Sequence, residues 1–150
     1  MENSAKLRPI HYAASYGSLD AFKFLFSLDE LDKTALANPG KTALHLACLN
    51  GYDKIVEFLL NDPRGFKVFD VNQADTISNL IIFFNYGETP LHLASTNRHK
   101  NVVLLLLKVD GIIIDQKDLE GKTPLDLAQE RNENPVTDVL LDRYKELNLL

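Results

Sequence analysis

The side chains of this 150-residue chain that could do chemistry are four histidines, one cysteine and a scatter of carboxylates. A histidine can serve as general base or metal ligand, and a thiolate as nucleophile or zinc ligand. Three of the four histidines, His11, His45 and His92, fall at the same place in the related strings RPIHYAAS, TALHLACL and TPLHLAST. They therefore belong to a recurring element rather than to one converging site. The single Cys48 allows neither an intrachain disulfide nor a zinc site with several thiolates, and it stands where a small core Ala is expected. The sequence shows no HExxH, no nucleophile elbow and no phosphate-loop glycine spacing. Asp75, Asp115 and Asp118 recur with Gly40, Gly87 and Gly121 and read as turn residues. The expectation is a protein that is not an enzyme and uses neither cofactor nor metal.

The elements that position these residues are repeats. RPIHYAASYGS at 8–18, TALHLACLNGY at 42–52, TPLHLASTNRH at 89–99 and TPLDLAQERNE at 123–133 superimpose without gaps. Thr42 suits an N-cap, and Pro90 and Pro124 suit a first helical position whose N–H lacks a partner anyway. Leu44 and Leu46 mark the buried side of that helix, small Ala13, Ala47, Ala94 and Ala128 permit close approach, and Gly17 and Gly51 end it. A second apolar helix follows, represented by Ile55, Val56, Phe58, Leu59 and Leu60 in one copy and Val102, Val103, Leu105, Leu106 and Leu107 in the next.

TPLHLA at a period near 33 resembles the ankyrin repeat. The resemblance covers nearly the whole chain and implies an all-α repeat solenoid, residues 1–150 as a single domain, with four helix-turn-helix units and β-hairpin fingers between them. The units run approximately over 5–36, 37–74, 75–117 and 118–146. It also implies that the repeated His bonds to the Thr of its own unit and to neighbouring loop backbone, and that His99 enters a second helix in a structural role. Partners would lie along the concave surface of finger tips and first helices. Carried over position by position, the variable slots are Ser15 and Tyr16, then Lys41, Leu49 and Asn50, then Glu88, Thr96 and Asn97, then Leu119, Glu120, Lys122, Glu130 and Arg131. Tyr16 and Leu49 have the character of an interface centre, and the mixed charges of the fourth unit that of a rim.

The chain departs from the pattern in places. Arg98 stands where a left-handed Gly is usual, and Asn132 is a milder replacement at the same slot. Thr34 and Ala37 replace the Asn and Asp of the first finger, which is expected to be looser. The second unit carries insertions near 63–69 and 76–86, rich in apolar residues. The simplest structure for them is one enlarged β-hairpin finger, with strands near 66–72 and 79–86 and its turn in QADTIS. Its apolar side chains either pack on the protein's own helices or anchor a partner; Ile82, Phe83 and Phe84 are the candidate anchor, and self-association through the 79–86 hairpin is one form of it.

Composition narrows the partners. With 45% hydrophobic and 25% charged residues the chain has the make-up of a folded domain, and a net charge of -5 with no basic run longer than two residues argues against nucleic acid. No stretch is apolar enough for a signal peptide or a membrane span, so an intracellular place, cytoplasmic or nuclear, is expected with no membrane insertion. Another protein is the expected partner and adaptor-like binding the expected function. The alternative is a regulatory domain of a larger protein whose activity lies outside this chain, with which the apolar tail Leu147, Leu149 and Leu150 is compatible.

Overall fold

The computed structural model describes residues 7–37, 40–75 and 87–150. Among them, four helix pairs follow one another: α1 (Pro9–Ser15) with α2 (Leu19–Ser27), α3 (Ala43–Asn50) with α4 (Asp53–Asn61), α6 (Pro90–Thr96) with α7 (Lys100–Leu106), and α8 (Pro124–Gln129) with α9 (Pro135–Glu146). A four-residue helix α5 (Gly65–Val68) lies between the second and third pairs. The first helices pack in the order α1, α3, α6, α8 to make one layer, and α2, α4, α7, α9 make the other.

Three of the four first helices start through the same chemistry. Thr42, Thr89 and Thr123 are N-caps in extended conformation whose hydroxyls accept the N–H of residue three along, at 3.3, 3.4 and 3.2 Å. At the opposite end Gly17 and Gly51 take φ of +70° and +76°. A Cβ on them would lie 2.4 Å from the Tyr52 and His99 rings, so left-handed backbone and close packing on the next unit both require glycine there. Ala47, Ala94 and Ala128 are fully buried where the first helices meet, with Cys48 beside them.

Arg98 adopts the left-handed conformation of the glycine it replaces, φ +64°. In the fourth pair, however, the left-handed residue is Glu133, at φ +53°, and not Asn132. Glu130 remains helical at the end of α8, and Asn134 caps α9 through Val136 N–H at 3.0 Å while its amide donates to the Ser95 carbonyl at 2.9 Å. That cap fixes where the chain must turn, one residue later than the repeat alignment places it.

The insertion near 63–69 is not the outgoing strand of a hairpin. Asp62 accepts both the N–H and the guanidinium of Arg64, at 2.8 and 3.2 Å, and this local ring starts the helical turn of α5. Phe69 then leaves the turn to stack on Phe26 at 6.4 Å, joining Phe22 and Phe58 in an aromatic cluster of edge and stacked contacts between the second helices. Burial of Phe69 thus overrides the strand preference of its neighbours. The returning arm expected at 79–86, with Ile82, Phe83 and Phe84, lies outside the described residues.

Candidate functional site

The repeated histidines tie each unit to the finger that follows it. His11 donates from Nε2 to the Ala35 carbonyl at 2.8 Å, His45 to Gln73 at 2.9 Å and His92 to Lys122 at 3.1 Å. With Nε2 the donor, Nδ1 accepts from the N–H of Arg8, Thr42 and Thr89 at 3.0, 3.3 and 3.1 Å. Both ring nitrogens are thus engaged, and burial lowers all three pKa values, that of His45 to about 4. In the fourth unit Asp126 stands in for His, accepting from Thr123 N–H and hydroxyl at 2.8 and 2.7 Å without reaching any further finger. His99 donates to the Leu49 carbonyl at 2.9 Å. Every histidine is therefore a strut, and burial pushes the Cys48 thiol far up, away from thiolate chemistry. Among the described residues no three His, Cys, Asp or Glu side chains are placed to share a metal.

The fingers share one base. The N–H groups of Ala37, Asp75 and Asp118 donate to the carbonyls of Lys41, Glu88 and Lys122 at 2.8, 2.9 and 2.9 Å. In the two later fingers a carboxylate closes the base: Asp75 Oδ1 accepts Gly87 and Glu88 N–H at 2.8 and 3.0 Å, and Asp118 Oδ1 accepts Glu120 and Lys122 N–H, both at 2.9 Å. Ala37 has no carboxylate, and the Lys41 N–H turns to the Ala37 carbonyl at 3.0 Å instead.

Of the expected contact residues, Tyr16 is 73% exposed at the end of α1 and stacks on Tyr12, itself 39% exposed, with ring centroids 6.4 Å apart. Asn50, Asn97 and Arg131 are exposed in the equivalent row, although the two Asn amides also cap the Leu46 and Leu93 carbonyls of their own helices at 2.9 and 2.8 Å. Leu49 and Thr96 are half-buried. Lys122 is half-buried and held by Glu130 and Glu120 at 2.7 and 3.1 Å, which push its ammonium up to about 12. Lys41 is corrected: it is only 8% exposed, because its ammonium pairs with the buried Asp75 carboxylate of the next finger. It is a structural ion rather than an open contact. Glu88 is half-buried between fingers, where burial pushes it up to about 7 against the opposing effect of Lys41.

Two exposed groups escaped the sequence reading. Tyr12 aligns with the buried Leu46, Leu93 and Leu127, so the repeat marks it as core; the stacked partner four residues on was the available signal. Phe24 is exposed on α2, with nothing in its spacing to say so.

A family model for ankyrin repeats, three copies, matches residues 1–75 and 67–150. The chain belongs to the ankyrin-repeat family. Among similar ankyrin-repeat relatives are a calmodulin-binding transcription activator homolog 1 of Caenorhabditis elegans, 33% identical over 76% of this chain and 9% of that protein, and a poly [ADP-ribose] polymerase tankyrase of the same organism, 32% identical over 90% and 6%. A probable 26S proteasome regulatory subunit p28 of Saccharomyces cerevisiae is 24% identical over 91% of this chain and 54% of its own length. The chain thus spans at most about half of these relatives. Ankyrin repeats are a non-catalytic fold that mediates protein–protein interaction, and no helix among the described residues of this one is long and apolar enough to cross a membrane.

Proposed function

We propose that this ankyrin stack is a rigid platform that binds a partner protein along the face made by the ends of α1, α3, α6 and α8 and by the fingers. The observation that carries the reading is the stacked Tyr12–Tyr16 pair, an aromatic surface left to solvent at one end of the row Tyr16, Asn50, Asn97, Arg131. Exposed, mutually rigidified tyrosines supply contact area at little entropic cost, as interface anchors do. Leu119, 64% exposed in the finger after Asp118, is a separate exposed apolar side chain toward the other end of the stack. A second reading, favoured by the small share of the longer relatives that the chain spans, is a regulatory domain whose activity resides elsewhere in a larger protein.

A photo-crosslinking residue placed at Tyr16 or Asn97, compared with one at Lys54 on the outer helix α4, tests the face directly. Crosslinks to a partner should form from the first two positions. Crosslinks from Lys54 alone would remove the proposal. Replacing Tyr16 and Leu49 by Ala should weaken the captured complex by about 1 kcal/mol or more, roughly fivefold in Kd.

A further inference from the structure

The finger bases are equivalent in backbone and unequal in charge. At the first junction Lys41 reaches forward and its ammonium closes on Oδ2 of Asp75. At the second, Asp118 repeats the geometry of Asp75, with Oδ1 taking two backbone N–H groups, and Glu88 occupies the place of Lys41. An acid now faces an acid. Among the described residues, Oδ2 of Asp118 is consequently buried with no hydrogen-bond partner, in a residue only 6% exposed. A buried carboxylate oxygen in that condition carries the full cost of its lost hydration. Residues 76–86 contain no Lys, Arg or His and so bring no cation, and Lys122 is engaged by Glu120 and Glu130.

We propose that the Glu88–Asp118 junction receives a basic side chain of a partner protein, a Lys ammonium or Arg guanidinium, which enters past half-buried Glu88 and gives Asp118 the pairing that Lys41 gives Asp75. This rests on the reading of the finger face as a protein-binding surface and names the chemistry at its centre. The groups facing Glu88 are Lys41 from the preceding finger base, Asp75 from its own and Asp118 from the next, with His45 held neutral beside them. Because Glu88 must ionise to accept the cation, binding releases a proton. With Glu88 near 7, affinity should fall about tenfold from pH 8 to pH 6.

The test is a titration of the full chain with hexalysine and hexaarginine, followed by carboxyl carbon NMR of Glu88 and Asp118 at both pH values, with calcium chloride as a parallel arm. Both signals should shift saturably with either peptide, about tenfold more weakly at pH 6. E88Q, which mimics the protonated acid, should bind the peptides at the weaker low-pH level at both pH values and lose the pH dependence. E88K, which rebuilds the Lys41–Asp75 arrangement, should raise the thermal midpoint and abolish the response at Asp118. An unmoved Asp118 signal, a response to calcium at lower concentration than to the peptides, or pH-independent binding by the unaltered chain would overturn the inference. If crosslinking at Tyr16 succeeds while Asp118 stays unmoved, only the receptor is refuted; if the peptides titrate Asp118 but crosslinks form only from Lys54, only the concave-face reading is.

Discussion

Acid should weaken this fold through His45 well before the carboxylates protonate. Its ring is fully buried, donates from Nε2 to Gln73 and accepts at Nδ1 from the Thr42 N–H, so a second proton would have to displace an existing bond. Burial is the largest cause of its lowered pKa, with Lys41 adding to it and Asp75 opposing. In the unfolded chain His45 takes a proton near 6.5 and in the folded chain near 4. Between those values the unfolded state binds more protons, so stability falls as pH falls from 6.5 to 4 and levels off below, by ~3 kcal/mol from this group. Glu88 works in the opposite sense: raised to about 7, it takes a proton earlier in the folded state and adds stability as pH falls from 7 to 4.5, by an amount reduced by its partial exposure. The clean measurement is therefore urea unfolding of E88Q and of E88Q with His45→Asn, at pH 7 and pH 4. Asn keeps an acceptor for the Thr42 cap, as Asp126 does for Thr123, and cannot titrate. The stability lost by E88Q on acidification should exceed that lost by the double variant by ~3 kcal/mol. Equal losses, or the His45 imidazole resonance titrating near 6.5 in the folded chain, would refute the reasoning.

Lys41→Met should cost ~3 kcal/mol in urea unfolding by leaving the Asp75 carboxylate buried without its cation, and adding Asp75→Asn should recover most of that, since Asn still accepts from Gly87 and Glu88. Gly51→Ala should lower the thermal midpoint, at a cost of at least ~1 kcal/mol, because φ is +76° and the new methyl carbon would sit 2.4 Å from His99 Nδ1; an unchanged midpoint would mean that neither constraint operates. Replacing residues 76–86 by Leu-Glu, so that the second finger copies Asp118–Lys122, should leave a folded chain within ~1 kcal/mol of the original stability, because the base is the same in both and loop-closure entropy changes slowly with length. Loss of the unfolding transition would show that the long segment is part of the core.

Much of the frame is legible because local rules generate it. Thr42, Thr89 and Thr123 cap helices by short-range hydrogen bonds, and Arg98 must take the left-handed backbone because the turn on which the next helix docks requires it. Other features depend on partners far along the chain. A lysine beside Thr42 reads as exposed until Asp75, 34 residues on, is seen to neutralise it. The helical turn α5 hides in an apolar, aromatic stretch because four residues are too few for a period, and what decides it is one Asp62–Arg64 ring plus the burial of Phe69. Tyr12 reads as core because its counterparts are covered; among the described residues no helix pair packs on its side of α1.

The same distinction separates stability from recognition. In a stack whose units touch only their neighbours, cohesion has to come from contacts that cross each junction. Here one set of those contacts lies beneath the fingers, the histidine struts to the following loop, the base hydrogen bonds and the closure of Asp75 on Gly87 and Glu88, and a second lies between the helices, in the aromatic cluster and the His99–Leu49 and Asn134–Ser95 bonds. The span from Asp75 to Glu88 is nine residues longer than that from Asp118 to Lys122, yet in both the Asp N–H donates to the closing residue's carbonyl and Oδ1 accepts its N–H. The base therefore closes the same way over spans of different length. Tyr16 at the end of α1 and Leu119 beyond Asp118 lie outside these bases, as exposed aromatic and aliphatic residues. Among the described residues the Glu88–Asp118 junction differs, a base where an acid faces an acid, and so a point where a partner's charge would change cohesion and affinity together.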